Sequence, residues 1–395
     1  MSTNGFPGLP IAELEARGAA WTSREIAQQP DVWTEVGSLV ARERAELDAF
    51  LRPLAAHPAL RVVLTGAGTS GYIGDCLAPA LSSRLQRRVE AIATTDLLSG
   101  PARLFPSDGS TLLVSFARSG NSPESVAAVE LAEQLLAGRV SHLVITCNAE
   151  GALAARARRG PNARLLLMPE AAHDRGFAMT SSFTAMFLAG ALAFRLVADD
   201  APRRLAVAAA GLMPGATALA GQLVARAFER VVYLGSNELR GVASESALKL
   251  LELTDGRIVA VSDSSLGFRH GPKTILNART LVVLMLSNGH YARAYDLDLL
   301  RELEREGRAG GLLAIGGRSD GVGAVEALVL PGMQQAADIE LAPLCVLFAQ
   351  AFGLLQSLEL GLTPDRPDPA GTVNRVVQGV TIHPWNGAGE HVPRS

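Results

Sequence analysis

The feature that most constrains the fold is an echo between two short apolar segments of the chain. Residues 61–66 read Arg-Val-Val-Leu-Thr-Gly, and residues 230–235 read Arg-Val-Val-Tyr-Leu-Gly, 169 positions later (230 − 61 = 169). Each segment has the character of a buried strand that ends at a glycine turn. A chain of 395 residues has room for two domains of ordinary size. The echo therefore predicts two copies of one structural unit.

Short apolar strands alternate with helical patterns after each copy of the echo. The predicted strands are residues 61–64, 89–93, 111–116, 141–147, 164–168, 230–234, 257–261, 280–286, 311–315 and 327–330. Strands that alternate with helices form a parallel sheet with helices on both faces. The sequence thus predicts an α/β fold with two tandem flavodoxin-like, doubly wound parallel-sheet domains.

The same patterns predict where one part of the chain gives way to the next. The predicted parts are a helical N-terminal segment (1–50), a first domain (51–200), a linker (201–220), a second domain (221–365) and an extended C-terminal tail rich in proline and aspartate (366–395).

Composition excludes several classes of protein. Apolar residues make up 48 % of the chain and the net charge is −3, so we expect a packed core and no nucleic-acid or membrane-surface partner. The longest apolar runs, residues 183–194 and 344–352, are shorter than the roughly 20 residues of a membrane span. The three cysteines form no CxxC pair and the N-terminus has no signal-peptide pattern. These features predict a cytoplasmic protein.

Two loops of the first domain are suited to an anion. The first loop reads Thr-Gly-Ala-Gly-Thr-Ser-Gly over residues 65–71, so Gly68, Thr69 and Ser70 lie between a strand and a helix start. Backbone N–H groups and hydroxyls at such a place can hold a phosphate. A plain turn with a serine cap is an equally common interpretation. A dinucleotide is less favoured, because no acidic residue ends the next strand near residues 91–93.

The second loop follows the strand at residues 111–116 and precedes a helix predicted at residues 123–136. It contains Arg118, Ser119 and Ser122, which add a fixed positive charge and two hydroxyls. Because the carboxyl ends of neighbouring parallel strands meet at one crevice, the two loops should converge there. We therefore predict a phosphate site in the first domain.

A candidate acid–base cluster lies in the second domain. Glu245, Lys249 and Glu252 are spaced i, i+4 and i+7, so they share one face of a predicted helix. A solvated face with ion pairs is the ordinary interpretation of such spacing. The sequence, however, keeps only two lysines, Lys249 and Lys273, among 36 basic residues. A lysine retained against so strong a preference for arginine suggests a role that a guanidinium cannot fill.

His270 is the histidine with the most specific setting, because glycine and proline bound its loop at residues 267–273. A histidine and a glutamate are what sugar isomerisation requires. One opens the sugar ring, and the other moves a proton between adjacent carbons.

Taken in order, these motifs resemble the sugar-isomerase (SIS) family, and their pattern is that of the isomerase half of glucosamine-6-phosphate synthase. The resemblance covers residues 45 to 383 or so. It is greatest for the subgroup of tagatose-6-phosphate ketose/aldose isomerases and galactosamine-6-phosphate deaminases. The segments that carry it are residues 68–70, 118–122, 175–184, 247–252, 269–272 and 374–381.

The resemblance implies a role for each matching residue. Gly68, Thr69, Ser70, Arg118, Ser119 and Ser122, with Thr180 and Ser181, would hold the substrate and its 6-phosphate. Glu252 would shuttle the proton between C1 and C2, and Lys249 would assist it. His270 would open the ring from a neighbouring subunit, which implies a homodimer or larger homo-oligomer.

Two departures from the synthase favour ammonia release. The chain begins Met1-Ser2-Thr3, so we expect no glutaminase, and Gln378 takes the place of a lysine in the synthase tail. The leading hypothesis is therefore conversion of galactosamine 6-phosphate to tagatose 6-phosphate and ammonia, without a metal or an organic cofactor. Simple aldose–ketose isomerisation and deglycation remain open. A non-catalytic phosphosugar sensor is the alternative of another class.

Overall fold

The structure is a computed structural model and describes residues 6–105, 109–371, 373–377 and 379–386. The strands in these residues are β1 (Leu60–Thr65), β2 (Arg88–Ala91), β3 (Ser110–Ala117), β4 (Val140–Thr146), β5 (Ala163–Leu167), β6 (Arg230–Leu234), β7 (Val259–Asp263), β8 (Thr280–Met285), β9 (Gly311–Gly316) and β10 (Glu326–Val329).

Helices separate most of these strands. The α-helices in the described residues are α1 (Ile11–Ala16), α2 (Ala20–Ala27), α3 (Gln29–Ala56), α4 (Thr69–Leu85), α5 (Thr94–Ser99), α6 (Pro101–Leu104), α7 (Pro123–Leu136), α8 (Ala152–Arg159), α9 (Ser181–Ala193), α10 (Ala201–Val224), α11 (Glu238–Leu253), α12 (His290–Glu306) and α13 (Asp338–Glu359). Short 3-10 turns occur at Glu170–Ala172, Gly267–Arg269 and Pro272–Ile275.

Two five-stranded sheets form the two halves of the molecule. Their orders are β2-β1-β3-β4-β5 and β7-β6-β8-β9-β10, and every pairing is parallel. Both orders are the 2-1-3-4-5 arrangement of flavodoxin-like folds. The prediction of two doubly wound α/β units is therefore confirmed, together with the helical N-terminal segment.

The central strands are buried on both faces, as the apolar runs of the sequence predict. All six residues of β8, Thr-Leu-Val-Val-Leu-Met, are buried. Continuous apolar runs of this kind are typical of strands that helices cover from both sides. By contrast, the edge strand β10 is mostly exposed, and its core-facing residues are correspondingly few.

Helices α3, α10 and α13 join the two halves into one core. The predicted linker forms most of α10, which packs against both α3 and α13. The N-terminal helix α3 continues to Ala56, past the predicted end of the N-terminal segment at residue 50. The division into separate domains at the predicted residues stays a prediction.

Two helices are longer and more apolar overall than the apolar runs of the sequence indicated. By length and composition alone, α10 and α13 could each cross a membrane, and their apolar stretches are 50 % and 94 % buried in this fold. The apolar surface of α13 is covered by α10 and α11. A helix that is apolar all round is the expected core element of a large α/β protein.

The two halves touch most closely where α4 meets α11. Gly241 on α11 lies against Cys76 on α4, and a Cβ at position 241 would stand only 2.6 Å from the Cys76 nitrogen. This close approach requires glycine. It brings the rest of α11 beside the first turn of α4, where the first glycine-rich loop ends.

Candidate active site

The first loop turns sharply from β1 into α4. A Cβ at Gly66 would lie 2.5 Å from the carbonyl carbon of Ser70, and Gly68 has φ +54°, so both positions favour glycine. Thr69 and Ser70 form the first turn of α4 and are almost fully buried. The N–H groups of this turn face the carboxyl end of the sheet, where an anion would be stabilised by the helix N-terminus.

The second loop leaves β3 and enters α7, whose bounds Pro123–Leu136 are those predicted. Ser122 precedes α7 and donates a hydrogen bond to the Ser125 hydroxyl (2.6 Å), while the Ser119 hydroxyl accepts one from the Asn121 N–H (3.3 Å). Arg118 is 93 % buried and donates to the carbonyls of Phe177 (3.0 Å) and Arg375 (2.6 Å).

The two loops enclose a cavity of about 110 Å³, which Ser70, Arg118, Ser119 and Ser122 line together with Met179. Sites that enclose a whole small molecule measure roughly 300–1,000 Å³. This cavity is thus sized for the phosphate end of a ligand. The two loops therefore converge in the structure, as the sequence predicts.

A larger cavity of about 390 Å³ lies at the other end of the sheet, near His142 and Arg156. It opens at the start of β4, whereas open α/β sheets bind ligands beyond the carboxyl ends of their strands. Size alone therefore does not favour it as the active site.

Helix α11 carries the acid–base cluster to the first loop. The Lys249 side chain is fully buried and its Nζ donates to the Thr69 hydroxyl (2.8 Å) and to the carboxylate of Glu252. The Glu245 carboxylate lies 3.6 Å from Nζ and is also fully buried. Glu252 keeps a quarter of its side chain exposed and is the member of the cluster open to a ligand.

Burial and charge act in opposite directions in this cluster. Burial raises the pKa of Glu245 to about 8, with Lys249 opposing and Glu252 adding to the rise. Burial alone would lower the pKa of Lys249, but the two carboxylates outweigh it and the net shift is upward. Lys249 therefore stays a cation, held between a phosphate-type loop and a glutamate.

Charged groups of both halves influence Arg118 electrostatically. Burial, and next the neighbouring Arg375, lower the pKa of Arg118, whereas Asp174 and Glu252 raise it. Because Lys249 contacts both Thr69 and Glu252, the acid–base helix lies beside the first glycine-rich loop.

The structure does not bring His270 to this cleft within one chain. The residue follows the 3-10 turn Gly267–Arg269, is exposed, and does not line the cavity. On either side of it, Arg269 and Lys273 pair with Glu302 of α12. Lys273 is thus a surface ion-pair residue, unlike the buried Lys249.

Thr180 and Ser181 are close to the cavity, but their hydroxyl groups already have partners. Thr180 donates to Asp174 (3.3 Å), and Ser181 donates to the backbone carbonyl of Glu25 (2.6 Å). Both residues are fully buried and neither lines the cavity. Their role in phosphate binding stays a prediction that this geometry does not support; in the structure they anchor the loop that presents Met179.

Two buried carboxylates that the sequence analysis missed organise this loop. Asp174 accepts the N–H groups of Thr180, Ser181 and Ser182 at 2.7–3.1 Å, at the start of α9. Glu25 accepts the N–H groups of Arg175 and Gly176, and burial, together with Asp174, raises its pKa to about 8. The only sequence signal was that Asp174 immediately precedes the motif at residues 175–184.

Comparison with known proteins places the chain in a family. The SIS domain model matches residues 57–196. D-galactosamine-6-phosphate deaminase AgaS of Escherichia coli is 46 % identical over 94 % of this chain and 97 % of its own length. A Streptomyces coelicolor protein provisionally given the same name is 52 % identical over 96 % and 99 %.

Solved structures agree with this placement. The crystal structure of tagatose-6-phosphate ketose/aldose isomerase from Escherichia coli has a TM-score of 0.88 and 42 % identity, and covers 96 % of this chain and 100 % of its own. Glucosamine-6-phosphate deaminase of Thermotoga maritima (TM-score 0.64, 23 % identity, coverage 90 % and 99 %) shares the fold. The chain belongs to the SIS domain family of sugar-phosphate enzymes, in the group that includes AgaS.

Proposed function

We propose that this protein is an amino-sugar-phosphate deaminase/isomerase that converts galactosamine 6-phosphate to tagatose 6-phosphate and ammonia. One observation carries the proposal: Lys249 of the second half bonds both Thr69 of the phosphate loop and Glu252. A sugar held by its phosphate between the loops would extend toward Glu252. The names and high identity of the AgaS relatives favour this substrate.

The proposed chemistry uses side chains of the cleft. After ring opening, the Glu252 carboxylate removes the proton from C2 and returns it to C1 through an enolamine. The resulting C2 imine takes up water, and its C–N bond breaks to release ammonia and leave the ketose. The Lys249 cation stabilises negative charge that develops on the substrate oxygens. No step in this sequence calls for a metal or an organic cofactor.

The test of this function is ammonia release from galactosamine 6-phosphate by wild-type and Glu252→Gln protein. We expect Glu252→Gln to lower kcat by at least about a hundredfold with little change in KM, since it keeps size but removes the base. Glu359→Gln, at the exposed end of α13, is the matched control and should retain full activity. Equal ammonia release by wild type and Glu252→Gln would refute the assigned role.

Direct isomerisation of a ketose 6-phosphate is the second candidate, because the Escherichia coli relative of known structure carries that name. A substrate panel of galactosamine, glucosamine and galactose 6-phosphates with tagatose 6-phosphate separates the two candidates. Turnover of the amino sugars with ammonia release supports deamination; turnover of the neutral sugars alone supports isomerisation. Binding without any turnover would instead favour a sensor.

His270 is proposed to act across a subunit boundary, as the resemblance to the synthase implies. The His270 side chain is exposed in one chain, and this supports the assignment because the side chain could then reach the active site of a partner subunit. Mixing Glu252→Gln and His270→Ala chains should restore about one quarter of wild-type activity, since half of the dimers are mixed and one of their two sites is intact. No restoration would mean that His270 acts within its own chain, and full activity of the His270→Ala protein alone would mean that His270 has no role.

We place the reaction in the cytoplasm. The three cysteines, Cys76, Cys147 and Cys345, are all free and buried, as expected in a reducing compartment.

A further inference from the structure

The C-terminal tail brings a second arginine to the phosphate cavity. Arg375, Val376 and Val377 line the same cavity as Ser119 and Arg118. Backbone contacts fix the tail there: Arg118 donates to the Arg375 carbonyl (2.6 Å), and the Arg375 guanidinium donates to the carbonyl of Asp174. These contacts join residues that are 257 and 201 positions apart in the sequence.

Within the part of the chain that the structure describes, the two guanidinium groups have no carboxylate partner. Among the described residues, the hydrogen bonds of Arg118 and Arg375 go to backbone carbonyls, and neither arginine has an ion pair. The nearby Asp174 carboxylate already accepts three backbone N–H groups of the α9 start. Two close cations, one of them almost fully buried, form a costly arrangement unless an anion lies between them.

An anion from outside the chain would neutralise this pair of cations. The cavity beside these cations is lined by four serines, Ser70, Ser119, Ser122 and Ser125, and is too small for a whole sugar. Hydroxyl donors combined with two guanidinium groups suit a phosphate dianion, which offers three acceptor oxygens.

We propose that Arg375 is a ligand of the substrate's 6-phosphate, so that the tail supplies the second of two cations in the phosphate subsite. The inference rests on the proposed phosphosugar site and names a residue outside the two phosphate loops. It also gives the tail a defined role: selection of phosphorylated over unphosphorylated sugars.

Binding of inorganic phosphate to the full-length protein, measured by titration calorimetry, tests the inference without turnover. We expect Arg375→Ala to raise the Kd for phosphate, and the KM for galactosamine 6-phosphate, about tenfold or more, because a charge-assisted hydrogen bond is lost. Arg366→Ala is the matched control. Arg366 lies in the same tail, donates to the Pro369 carbonyl and does not line the cavity, so its loss should change neither constant.

Two further variants distinguish the positive charge of Arg375 from its hydrogen bond to the Asp174 carbonyl, which holds the tail in place. Arg375→Lys keeps the positive charge and should recover part of the phosphate affinity. Arg375→Gln keeps a donor for the Asp174 carbonyl but loses the charge, and should bind phosphate as weakly as Arg375→Ala. Phosphate affinity of Arg375→Gln within twofold of wild type would overturn the inference.

The outcome is independent of the proposed reaction. Phosphate affinity that depends on Arg375, in a protein that releases no ammonia, would support the inference and remove the proposed function. Normal ammonia release by a protein whose phosphate affinity does not depend on Arg375 would support the proposed function and overturn the inference.

Discussion

The two halves have the same strand order and the same turn geometry, but different groups occupy the equivalent crevice in each half. Gly68 and Asn237 precede α4 and α11 with nearly identical dihedral angles (φ 54°, ψ −127° and φ 51°, ψ −122°), 169 residues apart (237 − 68 = 169). In the first half, the crevice beyond this turn is an open cavity lined by Ser70, Ser119 and Arg118. In the second half, the corresponding crevice contains a carboxylate of the chain itself.

That carboxylate is Asp296 of α12, which is fully buried. It accepts hydrogen bonds from the Ser236 hydroxyl (2.8 Å), the Ser265 hydroxyl (2.5 Å) and the Ser287 N–H (3.0 Å). Serines and a backbone N–H in the second half thus bind an internal anion. Under the proposed function, one anion site of the duplicated scaffold stays open for substrate, an aspartate closes the other, and the second half supplies the acid–base helix.

The largest expected effect separates the two lysines. Lys249→Met should lower kcat/KM for galactosamine 6-phosphate at least about a hundredfold, because the cation beside Glu252 and Thr69 is lost from a buried site. Lys273→Met removes a surface ion pair with Glu302 and should leave kcat/KM within about twofold. Steady-state kinetics check both; equal losses would contradict the distinction between buried and surface lysine.

Serines of the two crevices should differ in their effect on substrate binding. Ser119→Ala should raise KM for the phosphorylated substrate about tenfold, through one lost hydrogen bond to a charged group. Ser236→Ala, in the closed crevice, should leave KM unchanged. A rise in KM for Ser236→Ala of the same size would mean that substrate phosphate binds in the second half.

Removing the internal anion should affect stability and spare the open crevice. Asp296→Asn should lower the free energy of unfolding by about 1–3 kcal/mol, because charge-assisted hydrogen bonds to two serines and a backbone N–H are weakened. Asp298→Asn, exposed on the same helix, is the control and should change it by less than about 0.5 kcal/mol. Urea denaturation measures both, and unchanged stability of Asp296→Asn would show that the second crevice needs no anion.

The smallest expected effect is a dependence of the folded protein's stability on pH. Burial, with Asp174, raises the pKa of Glu25 in the folded protein to about 8 from 4.5, so the folded state holds a proton that the unfolded chain releases. Stability should therefore fall as pH rises from about 4.5 to about 8, and Glu245 adds a second proton in the same window.

Glu25→Gln should make this decline shallower, since it mimics the protonated side chain. Thermal melting at several pH values checks the slope, with Glu35→Gln on the exposed face of α3 as the control. A slope equal to that of wild type would contradict a proton on Glu25.

Periodicity and spacing predicted the scaffold well for a physical reason. All ten strands and α7 follow from local apolar runs bounded by glycine, proline or hydroxyl residues, and these signals act within a few positions. The phosphate loops were predicted for the same reason, because a strand end, a glycine turn and a helix start are contiguous in the sequence.

Long-range contacts were beyond such signals. The sequence contains no pattern that predicts the contact between Asp174 and Arg375, which lie 201 positions apart. It likewise does not predict that Glu25 of the N-terminal helices accepts a hydrogen bond from the N–H group of Arg175. Thr180 and Ser181 had the residue type of phosphate ligands, but their hydroxyls turn to Asp174 and Glu25. Residue type indicates what a side chain can bind, whereas its packing decides what it does bind.

Diffraction from crystals of the Glu252→Gln protein soaked with galactosamine 6-phosphate tests the division of labour most directly. The account predicts one sugar per chain, with its phosphate among Ser70, Ser119 and Ser122 and its C1–C2 bond beside residue 252. A phosphate bound at Ser236 and Ser287 in the second half, or a sugar whose first two carbons point away from α11, would contradict it.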